Sequence, residues 1–104
     1  MVYELRNYQL RMGALSTYLE LAENKLLPAL AEHGIKPTGF WKTEIGTLNE
    51  VVHLWAFKDL NEREEKWAKW FQDPRRVEYM KTLSQVIMSQ SNKILTPTTF
   101  SQLK

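Results

Sequence analysis

Glu4, Arg6 and Tyr8 alternate along one short run near the start of the chain, so they share one face of any strand they form. A carboxylate, a guanidinium and a phenol on one face make a compact polar set. The fork of N–H donors on Arg6 suits a substrate carboxylate or enolate. Tyr8 can hydrogen-bond the same oxygen, and Glu4 can act as a base or hold Arg6. The plain alternative is a structural Glu–Arg network, because a buried Arg is usually paired for satisfaction rather than catalysis.

His53 is the second candidate. It lies two residues from Val51 and two from Trp55. A lone titratable ring among apolar and aromatic neighbours is suited to general-base or proton-shuttle work. The alternative is a half-buried histidine bonded to a neighbouring strand. Trp41 and Thr43 share a phase on the preceding run and, with Glu4 and Trp55, are candidate substrate contacts. Trp41 and Trp55 would form walls. Glu44 takes the opposite phase and reads as a surface or pairing carboxylate. Trp67, Trp70 and Phe71 resemble a ligand cage, yet aromatic residues at helical spacing are more often core or subunit contact. Arg75 and Arg76 follow Pro74 at a helix start, where anions bind. The glycines that bring phosphate close to backbone are missing there.

Other chemistries are excluded by composition. There are no cysteines, so thiolate nucleophiles, disulfides and cysteine metal sites fall away together, as suits a reducing compartment. Only two histidines occur, and a metal site would lean on carboxylates. The chain has no nucleophile elbow, phosphate loop, dinucleotide fingerprint or His-rich metal motif. Neither a metal nor a cofactor is expected. Net charge is +2, from 14 basic and 12 acidic residues. The charges of Glu62-Arg63-Glu64-Glu65-Lys66 mix signs as solvated helix faces do, which argues against nucleic-acid binding. No apolar run approaches the roughly 20 residues of a membrane span. A strand pattern starts at Val2 with no signal or transit segment before it, so a cytoplasmic location is expected.

The elements that would position these residues can be read from periodicity. A single domain over residues 1–104 is expected. Val2 to Leu10 is a strand. Ala14 to His33 is a helix with Leu15, Tyr18, Leu19, Ala22, Leu26 and Leu30 on one stripe. Pro28 should kink it or split it near Leu26, and Gly34 caps it. Thr38 to Ile45 is a second strand, with turn formers from Gly46 to Glu50. Val51 to Lys58 is a third strand, apolar on both faces. Asp59 to Gln72 is a second helix opened by a capping-box pattern. Asp73-Pro74 starts a short helix to about Leu83. Val86 to Leu95 is the last strand, and Thr98 to Lys104 is a polar tail.

This order gives the α+β fold class: a ferredoxin-like βαββαβ antiparallel sheet with helices on one face. The other face is expected to carry Trp41, His53, Trp55 and Phe57. That is too much aromatic surface to leave wet. The same face of a second subunit is the simplest cover, which predicts a homodimer forming a dimeric α/β barrel, with higher homo-oligomers if the helix aromatics are exposed.

Four stretches resemble the NIPSNAP family: Tyr3-Glu-Leu-Arg-Asn-Tyr8, Gly39-Phe-Trp-Lys-Thr-Glu-Ile-Gly46, Asn49-Glu-Val-Val-His-Leu-Trp-Ala-Phe57 and Ser89-Gln-Ser-Asn-Lys-Ile-Leu-Thr-Pro97. They stand in the family's order. The resemblance implies the dimeric α/β-barrel superfamily, in the short single-domain form found in bacteria. Related barrels include cofactor-free monooxygenases, isomerases, haem-degrading enzymes and stress-induced proteins, and fold alone does not choose among them. Haem ligation by His53 has no supporting motif. Two classes of function follow. One is a cofactor-independent enzyme or small-molecule binder. A pocket between sheet and helices would hold an aromatic or carbonyl compound, with His53 moving a proton and Arg6 and Tyr8 stabilising an oxyanion. The other is a non-catalytic homo-oligomer with a packed interior.

Overall fold

The computed structural model describes residues 1–104. The elements run β1 (Val2–Leu10), α1 (Leu15–Leu21), a π-helical segment (Ala22–Leu26), α2 (Leu27–Glu32), β2 (Pro37–Lys42), β3 (Glu50–Phe57), α3 (Leu60–Phe71), α4 (Pro74–Val86) and β4 (Ile87–Leu95). The four strands form one open antiparallel sheet in the order β2-β3-β1-β4. This is the expected split βαβ arrangement.

Pro28 divides the long first helix as its chemistry requires. It has no N–H to donate to the carbonyl four residues back. The chain widens just before it, and Leu27 N–H reaches Ala22 carbonyl oxygen, five residues back. Leu26 and Leu30 stay on the buried stripe across this change. Gly34, at φ 74°, then lets Ile35 N–H return to Leu30 carbonyl oxygen at 3.0 Å, and Ile35 is buried behind the turn.

α3 opens on Asp59, whose side chain accepts from Glu62 N–H at 2.9 Å. α4 opens on Asp73, which accepts from Arg75 N–H at 2.9 Å with Pro74 at the first helical position. α4 runs to Val86, beyond the expected end near Leu83. No Gly or Pro interrupts Ser84 to Val86, and Tyr79, Leu83 and Val86 continue one buried stripe. β2 stops at Lys42, short of the expected Ile45, and Gly46 (φ 132°) and Asn49 (φ 58°) make a wide loop.

The face assignment read from the sequence is reversed. Directly opposed residues in a sheet share a face. Tyr8 opposes Val51, Arg6 opposes His53, Glu4 opposes Trp55 and Val2 opposes Phe57. Glu4 bonds Arg63 and Trp67 of α3, so this whole set lies under the helices. His53, Trp55 and Phe57 therefore do not stand on the open face. Both faces of β3 are apolar, so its alternation carried no sign. Expecting His53, Trp55 and Phe57 on the open face was the step that failed.

The open face carries Leu5, Asn7, Val52, Leu54 and Ala56, each half-buried. Trp41, opposite Val52, stays on this side at 53 % exposure. Its ring lies over Gly39, where a Cβ would meet Trp41 Cη2 at 2.0 Å. Tyr3 sits at the other end, and its hydroxyl donates to the Lys104 carbonyl, so the C-terminal tail covers it.

Candidate functional site

Between the sheet and the helices lies a chamber of about 290 Å³. Arg6, Tyr8, His53 and Trp55 form its floor, and Trp67, Trp70 and Tyr79 close it from α3 and α4. Leu26 and Leu30 make a side wall just where the π segment meets α2. Gln90 and Asn92 of β4 line it too and are exposed, so the chamber opens along that uncovered edge strand.

Glu4 anchors the arrangement. Its side chain is fully buried. It accepts from Arg6 Nε at 2.9 Å, Arg63 Nε at 2.8 Å and Trp67 Nε1 at 2.8 Å, with longer contacts of 3.4 Å from Arg63 Nη2 and Asn92 Nδ2. Burial alone would raise its pKa. The Arg63 hydrogen bond, the Arg6 charge, the Trp67 N–H and the Arg63 charge outweigh that and hold it below the usual carboxylate value. Both oxygens are occupied, so Glu4 is a structural acceptor.

Arg6 also donates from Nη1 to Tyr8 Oη at 3.2 Å, and its guanidinium lies 4.7 Å from the Trp67 ring centroid. Nη2 makes no hydrogen bond within the chain.

His53 is 2 % exposed. Its ring stacks on Phe40 at 4.6 Å and takes Tyr8 edge-on at 4.8 Å. Trp55 Nε1–H donates to His53 Nδ1 at 2.7 Å. An indole nitrogen only donates, so Nδ1 must offer a lone pair. Burial first, and then the Arg6 charge, push the His53 pKa down to about 3, against an opposing pull from Glu4. The ring is neutral at physiological pH and its proton sits on Nε2. That Nε2–H is buried and has no partner in the chain. With both nitrogens so committed, His53 has no free lone pair to accept a proton. It is a buried hydrogen-bond donor on a residue that lines the chamber.

Tyr79 completes the inner wall; Tyr18 is a fully buried core residue outside the lining, as its periodicity in the sequence indicated. Burial raises both phenol pKa values; Tyr79 adds to the rise at Tyr18, whereas Tyr18 opposes the rise at Tyr79. The Tyr18 hydroxyl has no aligned hydrogen-bond partner. Arg63, Asn92 and Phe40 were invisible as site residues, because a mixed-sign helix, a polar edge strand and a strand aromatic all have ordinary structural readings.

Not every candidate converges here. Thr43 donates to the Glu50 carboxylate at the β2–β3 loop, and Trp41 stands on the opposite face of the sheet. Neither lines the chamber. Of the helix aromatics, Trp67 and Trp70 are buried in the chamber wall, while Phe71 is 58 % exposed at its edge. No group of three or more His, Cys, Asp or Glu side chains is placed to hold a metal ion. No helix is long and apolar enough to cross a membrane.

The sequence matches the NIPSNAP family profile over residues 3–102. The chain belongs to the NIPSNAP family. Among curated relatives, human NipSnap homolog 3A is 31% identical over 103 residues, covering 99% of this chain and 42% of that protein. Zebrafish NipSnap homolog 1 is 35% identical over 106 residues, covering 99% of this chain and 36% of that protein. The chain thus spans well under half the length of these relatives. A crystal structure of a NIPSNAP family protein of unknown function from Agrobacterium tumefaciens superposes with a TM-score of 0.92 at 36% identity, covering 100% of this chain and 94% of that one. A NIPSNAP domain protein from Burkholderia xenovorans gives 0.89 at 25% identity over 97% and 98% of the two chains. More distantly, an antibiotic biosynthesis monooxygenase assigned as putative, from Nitrosomonas europaea, gives 0.70 at 8% identity. That likeness shows a shared ferredoxin-like fold alone.

Two predictions follow from the NIPSNAP chamber floor. Glu4→Gln removes the charge that compensates Arg6 and Arg63, and should destabilise the fold by about 3–5 kcal/mol in urea unfolding. A loss under about 1 kcal/mol would show that the network does not hold α3 to the sheet. For His53, the unfolded ring takes a proton near 6.5 and the folded ring resists until about 3. The folded state therefore binds fewer protons in that window, and His53 lowers stability as pH falls from 6.5 toward 3. Nitrogen NMR at pH 5 should find His53 neutral with its proton on Nε2; an imidazolium there would refute the assignment.

Proposed function

We propose that this protein binds a small aromatic or carbonyl compound in the chamber beneath its helices, with one oxygen of that compound accepting from His53 Nε2–H. The observation that carries this reading is the buried, unpartnered Nε2–H of His53, a residue that lines a chamber of about 290 Å³. A buried donor without an acceptor costs about 1–3 kcal/mol, and a bound oxygen recovers it. Trp55, Trp67 and Trp70 supply flat apolar walls for a planar body.

Tyr8 and the free edge of Arg6 add donors on the same floor. Donors fixed in a low-dielectric space favour an enolate or phenolate over its neutral parent. That charge change is shared by carbonyl isomerisation and by cofactor-free oxygenation of an electron-rich ring. Because His53 is a donor here, it would polarise the oxygen rather than take a proton.

A second copy of the chain is the proposed cover for the open sheet face, closing two sheets into a barrel. The half-buried Leu5, Val52, Leu54 and Ala56, together with the exposed Trp41 on the same side, support it.

Tryptophan fluorescence tests the chamber directly. Small hydroxy- and keto-aromatic compounds should quench it saturably, and His53→Phe, which keeps a ring in the Phe40 stack, should weaken binding about 3- to 10-fold. Absence of saturable binding at millimolar concentration overturns the reading. Light scattering tests the assembly: the wild type should have twice the chain mass at micromolar concentration and Leu54→Lys should be a monomer. A monomeric wild type would refute the dimer.

A further inference from the structure

We infer that the chamber selects anions, specifically small planar carboxylates, and that Arg76 is the residue that reads the charge. This rests on the reading above that the chamber binds a small compound.

Three arginines line the chamber, Arg6, Arg63 and Arg76, and no Asp or Glu does. The three cations are not equivalent. Arg6 is engaged by Glu4 and Tyr8. Arg63 is engaged by Glu4 and by Glu64, the latter at 2.6 Å. The neighbouring Arg75 is held by Asp73 at 2.7 Å and by Glu32. Arg76 has no carboxylate partner. Its guanidinium instead rests over the Phe71 ring, 4.4 Å from the centroid. It is half-buried, and Phe71 beside it is exposed, so the pair stands where the chamber meets solvent.

An arginine in this state is well suited to a ligand. Stacking on an aromatic face limits the positions its long side chain samples, while leaving the N–H fork in the ring plane unsatisfied. A carboxylate can take that fork in two parallel bonds. No ion pair has to be broken first. The nearest carboxylate, Glu4, is buried behind the floor outside the lining and is already shared between Arg6 and Arg63, which leaves the lining with a positive surplus.

The ligand class follows from both ends of the space. The carboxylate lies at Arg76 near the mouth. The planar body lies against the apolar wall made by Trp55, Trp67 and Trp70. An oxygen on the inner end accepts from His53. A volume near 290 Å³ accommodates a body of about ten water-sized atoms.

The test uses matched acid and amide pairs, benzoate with benzamide and salicylate with salicylamide, titrated into the full chain by calorimetry at low salt. Wild-type protein should prefer each acid by about 10- to 100-fold. Arg76→Gln should reduce that preference to about twofold while leaving amide affinity in place, and Arg76→Lys should keep part of it. Arg75→Gln is the control and should keep it whole. Equal binding of acid and amide by wild type overturns the anion reading and leaves the chamber reading standing. A preference that survives Arg76→Gln overturns the assignment to Arg76. Failure of every acid and amide to bind wild type overturns both readings together.

Discussion

A single buried carboxylate organises this molecule. Glu4 lies on a central strand, under a helix, with no solvent contact. An ion placed there costs several kcal/mol unless its partners replace water. The replacement comes from its own strand through Arg6, from α3 through Arg63 and Trp67, and from β4 through Asn92. The bonds therefore tie the helix layer and the edge strand to one point on the sheet. The same bonds hold Arg6 flat beneath Trp67 and fix Trp67 as part of the chamber roof. The carboxylate does no chemistry itself, but it sets the height and tilt at which α3 crosses the sheet.

The polarity of the chamber follows from that anchor. Glu4 absorbs the donors pointing at it and leaves the outward edges of the same residues facing the space. Burial first, and then the charge of the adjacent Arg6, keep His53 from becoming a cation. Trp55 takes the Nδ1 lone pair and so sets the tautomer. The result is a floor that offers N–H and O–H groups and has no ionised acceptor of its own. An active site that used His53 as a base would need Trp55 turned away and Arg6 displaced, which would dismantle the floor.

The strand and helix order was legible because it depends on local pattern. Alternation in Val2 to Leu10, the helical stripe ending in Leu30, the Pro28 break and the two Asp caps are all short-range signals, and each appears where its chemistry demands. Which residues share a strand face was legible too: Glu4, Arg6 and Tyr8 do meet, and His53 lies opposite Arg6. The sign of that face was not. Nothing local says which way Glu4 and Arg6 point, and only donors distant in sequence, Arg63 and Trp67, make the buried position tolerable. Trp41 shows the same limit from the other side. Its phase relative to Trp55 depends on the irregular pairing between Pro37 and Gly39, which shifts the β2 register against β3. Arg75 and Arg76 are indistinguishable as neighbours in sequence. The helix separates them, one toward the Asp73 cap and one toward the chamber.

The size of the chamber also bears on whether it is a packing defect. A dry void of this volume would cost about 7 kcal/mol at the usual penalty per unit volume. That rivals the whole stability of a small domain, about 5–15 kcal/mol. The chamber escapes that cost because it is neither closed nor apolar: β4 leaves one side uncovered, and Arg6, Tyr8, Gln90 and Asn92 can hydrogen-bond whatever enters. A Leu→Phe exchange at Leu30 or Leu83 would put more core into the space at a helix-propensity cost of only about a few tenths of a kcal/mol. The fold instead keeps medium-sized residues on the walls, tryptophans at the roof and a neutral imidazole N–H on the floor. That combination is wasteful as a core and coherent as a receptor for a flat molecule carrying an acceptor.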